Sequence, residues 1–375
     1  MPFSAWLFIC HMQEGQVIRK NSLKQKTILK KLLAISYIAV TSISLFSCKN
    51  SPVEPYIGPG RRDYVWTIDT IKNPGNPSFY TQAIWGSSPN DLWAVNPNDR
   101  MFHSNGNKWS VYNYPTIYGG GETIFGFSKD NIWVGSFGGA IWHFDGTNWY
   151  LHYWYKPEGR TSVSITHIWG KNSNDIFAVG VYFKTDGNKR GFILHYDGRE
   201  WRELYKADFN SNFIRAFQQD DDLLIFSYNG TAQSVTDSLA YYSFSTQGLK
   251  ELYKDSEDNA GTGNLGLIGD RVYFTIGNSL YRYLKVFSEG RLLKGLTFDN
   301  PQFGNVVFGR NEKDFFVRMV DGLAHYNGSN LEYVYKFEDK TNDIGQIPLI
   351  FEKEVYFIMF NFTKKDNYVL HGKLN

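Results

Sequence analysis

The chain has 375 residues, 17% of them aromatic and 20% charged, and 39 Lys and Arg against 37 Asp and Glu leave a net charge of +2. That balance comes without the concentrated basic patch that nucleic-acid binding needs, so a nucleic-acid partner is not expected. A chain this long can bury a core large enough to hold itself together by packing alone.

At the N-terminal end, Lys24, Lys26, Lys30 and Lys31 precede an apolar run from Leu32 to Phe46 that closes on Leu45-Phe46-Ser47-Cys48. The run is shorter than the roughly 20 residues a membrane-spanning helix requires. A basic region, a short apolar run and a small residue before Cys resemble a bacterial lipoprotein signal with its lipobox. The resemblance implies a signal peptide over residues 1–47, starting at Met1 or Met12, and a lipid anchor on Cys48 that makes a membrane the first partner. Lys49 follows Cys48 in place of the Asp associated with inner-membrane retention in some lineages. The expected address is therefore the outer membrane, on either its surface or its periplasmic side. Cys10, the only other cysteine, leaves with the signal, so the exported domain has no disulfide available. The first 47 residues hold six of the basic residues and one Glu, which leaves 33 basic against 36 acidic residues in the remainder. Residues 48–62, rich in Pro and Gly, read as a flexible tether, and residues 63–375 as one domain.

Within that domain a polar residue followed by an apolar or aromatic run recurs: DLWAV (91–95), NIWVG (131–135), DIFAV (175–179), DLLIF (222–226), RVYFT (271–275), DFFVR (314–318) and EVYFI (354–358). A near-constant period of 40 to 49 residues marks a repeat architecture. Upstream of the run lie AIWG (83–86), TIFG (123–126), HIWG (167–170) and VVFG (306–309). Downstream come runs closing on a turn dipeptide: MFHSNG (101–106), IWHFDG (141–146), ILHYDG (193–198) and LAHYNG (323–328). A fourth run begins at Trp109, Trp149 or Trp201. Asn-Gly and Asp-Gly between such runs signal tight hairpins. Each unit is therefore four antiparallel strands, a to d, and seven units predict an all-β, seven-bladed β-propeller.

The pattern IWGxxxNDIWAVGxxGxIxHYDGxxW is similar to the divergent propeller repeats of bacterial exported proteins, distant relatives of kelch and Asp-box propellers. It lacks the kelch Gly-Gly pair after strand b and the Asp-box spacing. The seventh unit has no strand d, whereas DYVWTID (63–69) precedes the first strand a. An N-terminal strand that closes the last blade accounts for both.

Features shared by all units belong to the scaffold. His103, His143, His195, His325 and His371 share one place in strand c and are expected to be satisfied within the packing, with no metal and no cofactor. Asp145 and Asp197 are expected to serve their turns. The residues that break the repeat gather in the d–a and b–c connections, at 112–122, 151–164, 181–191 and 227–238, on one side of the ring. Candidate ligand-binding residues there are Tyr153, Trp154, Tyr155, Lys156, Glu158 and Arg160, with Tyr118, Tyr182, Lys184 and Arg190 beside them. Aromatic rings next to charges suit a glycan or an envelope protein. The expected function is accordingly a monomeric binding module for glycan or protein, the alternative being a protein–protein scaffold in an envelope complex. Catalysis is left undecided, with no catalytic residue assigned; a polysaccharide lyase or glycosidase would need paired acids, for which Glu122, Glu158 and Asp186 are the candidates.

Overall fold

The computed structural model describes residues 58–72, 80–97, 100–112, 119–230, 238–255, 263–287, 289–338, 342–344, 347–361 and 363–375. The signal, Cys48, the tether up to residue 57 and Tyr118 lie outside these. Among the described residues every regular element is a β-strand.

Units one to four are separate four-stranded antiparallel sheets with the strands in chain order, the first running from Ala83–Ser88 to Trp109–Tyr112. Units five and six form an eight-stranded sheet, because the strands Gly263–Ile268 and Phe303–Asn311 touch through one parallel pair, Ile268 with Gly309. In the last sheet Tyr64–Ile71 pairs antiparallel with Asp366–Leu374 over eight residues, from Tyr64 opposite Leu374 to Ile71 opposite Asn367. An N-terminal strand thus closes the last sheet.

The local sequence explains the repeated hairpins. Gly106, Gly146, Gly198 and Gly328 have φ between 85° and 93°, which the dipeptide turns require. In each turn the preceding Asn or Asp side chain accepts backbone N–H groups two and three residues on, as Asp145 does from Thr147 and Asn148. The second repeated glycine, the last residue of AIWG, HIWG and VVFG, stands at a register shift between strands a and b. A Cβ there would lie 2.6 Å from the Asp91 carbonyl at Gly86, and 2.6 Å from that of Asp175 at Gly170.

Burial occurs between neighbouring sheets, because alternate strand residues face alternate neighbours. Trp93, Val95 and Met101 of unit one pack on Ile124, Val134 and Trp142 of unit two. Trp149, which opens strand d of unit two, lies 5.9 Å from the Trp93 ring, and Trp201 of unit three lies 5.7 Å from Trp133. The last junction, with Ile71, Tyr356 and Val369 against Ile84, Leu92 and Phe102, joins the closing sheet back to unit one.

The inner strands meet around a cavity of about 340 Å³. Trp85, Phe125, Trp169, Phe217, Leu267 and Phe308, at matching positions of six inner strands, line it together with Ile347–Ile350. Side chains two positions earlier lace consecutive inner strands. Thr123 Oγ1 accepts the Ile168 N–H at 3.4 Å, and His167 Nδ1 accepts the Ala216 N–H at 3.3 Å. Arg215 donates to the Leu265 carbonyl at 3.0 Å and to Asn264 Oδ1 at 2.6 Å.

Candidate functional site

The five in-register histidines are pinned within their own sheets. Each Nε2 meets the residue that opens strand b: His103 with Asp91 at 2.8 Å, His143 with Asn131 at 3.0 Å, His195 with Asp175 at 2.8 Å, His325 with Asp314 at 2.7 Å and His371 with Glu354 at 2.9 Å. Each ring also packs on the strand-b aromatic, as His143 does on Trp133 at 4.0 Å. These bonds help hold Asp91 and Asp314 below the usual carboxylate range against the opposing pull of burial, and Glu354 is held low chiefly by the Tyr356 hydroxyl and Lys373, with His371 adding to them. Unit two carries an amide in that place, and burial together with the neighbouring His152 pushes His143 down to about 4. Units four and five replace the pin with bridges to the next unit. Asp222 takes Tyr283 and Lys285, the latter at 2.9 Å, and Glu312 takes Arg271, Arg282 and Tyr273. Among the described residues no three His, Cys, Asp or Glu cluster as metal ligands would.

The irregular side is more ordered than the sequence predicts. Strand d of unit two reaches Trp154 and the next strand a starts at Arg160, so only residues 155–159 connect them. Residues 181–191 are the end of one strand, Asp175–Lys184, and the start of the next, Lys189–Tyr196. These two stretches are largely the end of strand d of unit two and the long strands of unit three, while residues 113–118 and 231–237 of the other two connections lie outside the described residues. The ends of the unit-three strands carry Arg160 opposite Lys184, and Tyr182 opposite Arg190.

Two of the candidate rings turn out to be core. Tyr155 is 4% exposed, lies 4.4 Å from the Phe192 ring and donates to Glu203, and burial raises its pKa strongly. Tyr182 is 5% exposed in the same junction of units two and three. Tyr182 sits at an inward-pointing strand position and Tyr155 just past the end of a strand, and both rings pack in the core, so neither is open to a ligand. Tyr153 is half-buried. Trp154 is also half-buried; its indole N–H donates to the Gly138 carbonyl at 2.9 Å, and Lys156 Nζ sits 3.2 Å from its ring centroid. Lys156, Glu158 and Arg160 are exposed. Lys184 pairs with Asp186 at 3.4 Å, and Arg190 donates to Asn210 at 3.0 Å.

The structure adds Phe137, which sequence reasoning missed. It is 48% exposed in the b–c turn of unit two. Its N–H donates to the Gly120 carbonyl at 3.0 Å, and Gly138 N–H donates to the Val163 carbonyl at 2.8 Å. The turn is thereby clamped between the entry to unit two and the long strand of unit three, which holds an aromatic ring out into solvent beside Trp154. An aromatic amid glycines, in SFGGA (136–140), was the available signal. On the opposite side of the ring, the c–d turn of unit five exposes Val286 and Phe287, the latter at 97%, while Leu293 and Leu296 are exposed along its strand d.

Of the three acids weighed for catalysis, Asp186 is held down at about 2 by turn N–H groups and is no proton donor at neutral pH. Glu122 is half-buried, and its pKa is raised by burial. Glu158 is exposed.

No family model matches the chain, and no curated protein matches it. Solved structures do. The structure of YCF48 bound to D1 peptide superposes with a TM-score of 0.53 at 12% identity, covering 85% of this chain and 100% of that one. YCF48 from Cyanidioschyzon merolae gives 0.56 at 12% identity, over 82% and 98% of the two chains. The fold is a β-propeller. Chaetomium thermophilum Raptor also matches, at a TM-score of 0.55 and 10% identity, over 83% of this chain and 30% of that chain. The four-stranded units are its blades.

Proposed function

We propose that the chain is a seven-bladed protein-binding module, held at the outer membrane of a bacterial envelope by a lipid on Cys48. It docks a protein segment on the b–c and d–a side of blades two and three. The observation that carries this reading is Phe137, an exposed aromatic fixed by backbone hydrogen bonds on both sides. A rigid exposed ring loses little entropy when a partner covers it. Lys156 and Arg160, exposed between blades two and three, with Lys184 opposite Arg160 and Arg190 further along blade three, supply basic groups that favour an acidic, partly apolar segment. That a YCF48 propeller has been solved with a peptide supports the class of partner. A glycan platform is less favoured, since Tyr155 is buried and Lys156 covers one face of Trp154.

Photocrosslinking separates these readings. Benzoylphenylalanine is placed at Phe137, and as a control at Asn107 on the opposite side of the ring, in cells that express the full chain. Protein adducts at position 137 that are absent at 107, and that weaken at least fivefold with Lys156→Ala and Arg160→Ala, are the expected result. Equal adducts at both positions, or a glycan-array ligand lost with Trp154→Ala, would replace it. Incorporation of an alkyne fatty acid that disappears in Cys48→Ser tests the anchor separately.

A further inference from the structure

The central cavity is walled mainly by hydrocarbon, and its polar side chains are the His167 imidazole, the Thr123 hydroxyl and the Trp85 and Trp169 indoles. His167 lines it and is only 2% exposed. Its Nδ1 accepts the Ala216 N–H, so that nitrogen carries the lone pair, and a neutral ring must then bear its proton on Nε2. Burial and the nearby Arg215 guanidinium keep the ring neutral. Among the described residues Nε2 has no hydrogen-bond partner, and it is not sealed from solvent-sized space in the way that other orphaned buried atoms are. A ligand acceptor would pair this donor, which the described residues leave without one. The equivalent positions in blades one, two and six are Ala83, Thr123 and Val306, so the imidazole is peculiar to blade three among these. Around it stand Trp85, Phe125, Trp169, Phe217 and Phe308. The cavity of about 340 Å³ lies within the range of small-molecule sites, roughly 300–1,000 Å³.

The geometry points to a second binding site, in this central cavity, for a small apolar molecule that carries one hydrogen-bond acceptor, with His167 Nε2–H as the donor that orients it. The aromatic ring of side chains supplies the non-directional part of the affinity by excluding water from the ligand's apolar body. The imidazole donor supplies selectivity, because a ligand lacking an acceptor leaves the imidazole N–H unpaired. An ester or ketone on an aromatic or short aliphatic body fits that description. The site is independent of the protein-docking face.

Methyl benzoate and ethylbenzene, similar in size but differing in the acceptor, are the probes. Saturation-transfer NMR on the full chain should show methyl benzoate binding at least tenfold tighter than ethylbenzene. His167→Phe should reduce the ratio below about threefold. Because that change also strips the acceptor from the Ala216 N–H, Leu267→Trp provides a second variant, which fills the cavity with His167 in place and should abolish binding of both probes. In the unmodified chain the Nε2–H resonance of His167 should move on adding methyl benzoate and stay still with ethylbenzene. Absence of binding to the unmodified chain, equal affinity for the two probes, a still resonance, or binding that survives Leu267→Trp would each overturn the proposal.

Discussion

Asn131 stands where blades one, three and six carry Asp and blade seven carries Glu, and the difference decides what His143 does with acid. The Asn131 side-chain oxygen accepts from both His143 Nε2 and Trp133 Nε1, while Tyr150 faces His143 Nδ1. No carboxylate bonds the ring, Asp145 only partly offsets burial and His152, and the ring stays neutral down to about pH 4. Asn131→Asp should therefore raise the His143 pKa by more than about one unit, followed by NMR titration of the ring. At the far side of the ring, Phe287 adopts φ 56° while almost wholly exposed, a conformation that suits Asn and strains a bulky residue. Phe287→Asn should stabilise the chain by about 1 kcal/mol in urea unfolding. The histidine register was visible in the sequence. Its partner was harder to see, because the acid opening strand b lies 11 to 20 residues away and reads equally well as a turn residue. Phe137 escaped notice for a related reason: it obeys no period, and its exposure is set by bonds to Gly120 and Val163 that only the assembled ring brings together.

At the level of elements the period carried most of the information. Tight Asn-Gly and Asp-Gly turns and alternating apolar runs identify strands a to d in blades one to three and six, and the spare strand at residues 64–71 is read from one missing partner. What misled was length. Residues 151–164 and 181–191 look like loops because Gly, Lys and Pro interrupt the pattern, yet strand pairing continues to Trp154, from Arg160 and through Lys184. Extended strands and polar loops have similar composition when both faces of a hairpin meet water. The closing strand is predicted to matter more than its exposed position suggests. Val65 and Ile68 face solvent, but Ile71 is 2% exposed and packs across the junction to blade one. Ile71→Ala should cost about 2–4 kcal/mol, whereas Ile68→Ala should change stability by less than about 0.5 kcal/mol; denaturant midpoints of the two variants make the comparison.

Across the whole molecule the buried imidazoles and the pinned carboxylates respond to acid in the same direction. An unfolded chain protonates histidine near pH 6.5, but folded His143 does so only at about 4, and His152 and His167 are also held low by burial. Between those values the unfolded chain takes up protons that the folded chain refuses, so stability falls as pH drops from about 6.5. Asp91, Asp314 and Glu354, held below their ordinary values, contribute stability above the usual carboxylate range that is lost as pH falls through it. The urea midpoint is expected to be flat around pH 7–8 and to decline steadily below about 6.5, with His143→Gln removing part of the upper portion of that decline. The ring also brings residue 63 and residue 375 together: Asn375 N–H lies 3.4 Å from the Asp63 carbonyl, and Arg61 reaches the Asn375 carbonyl at 2.6 Å. Where the polypeptide is cut is thus a matter of covalent bookkeeping more than of architecture. A circular permutant that joins 375 to 63 through a short glycine link and opens at the exposed turn after Asp197 should fold to the same ring, with its new ends on the side away from Phe137.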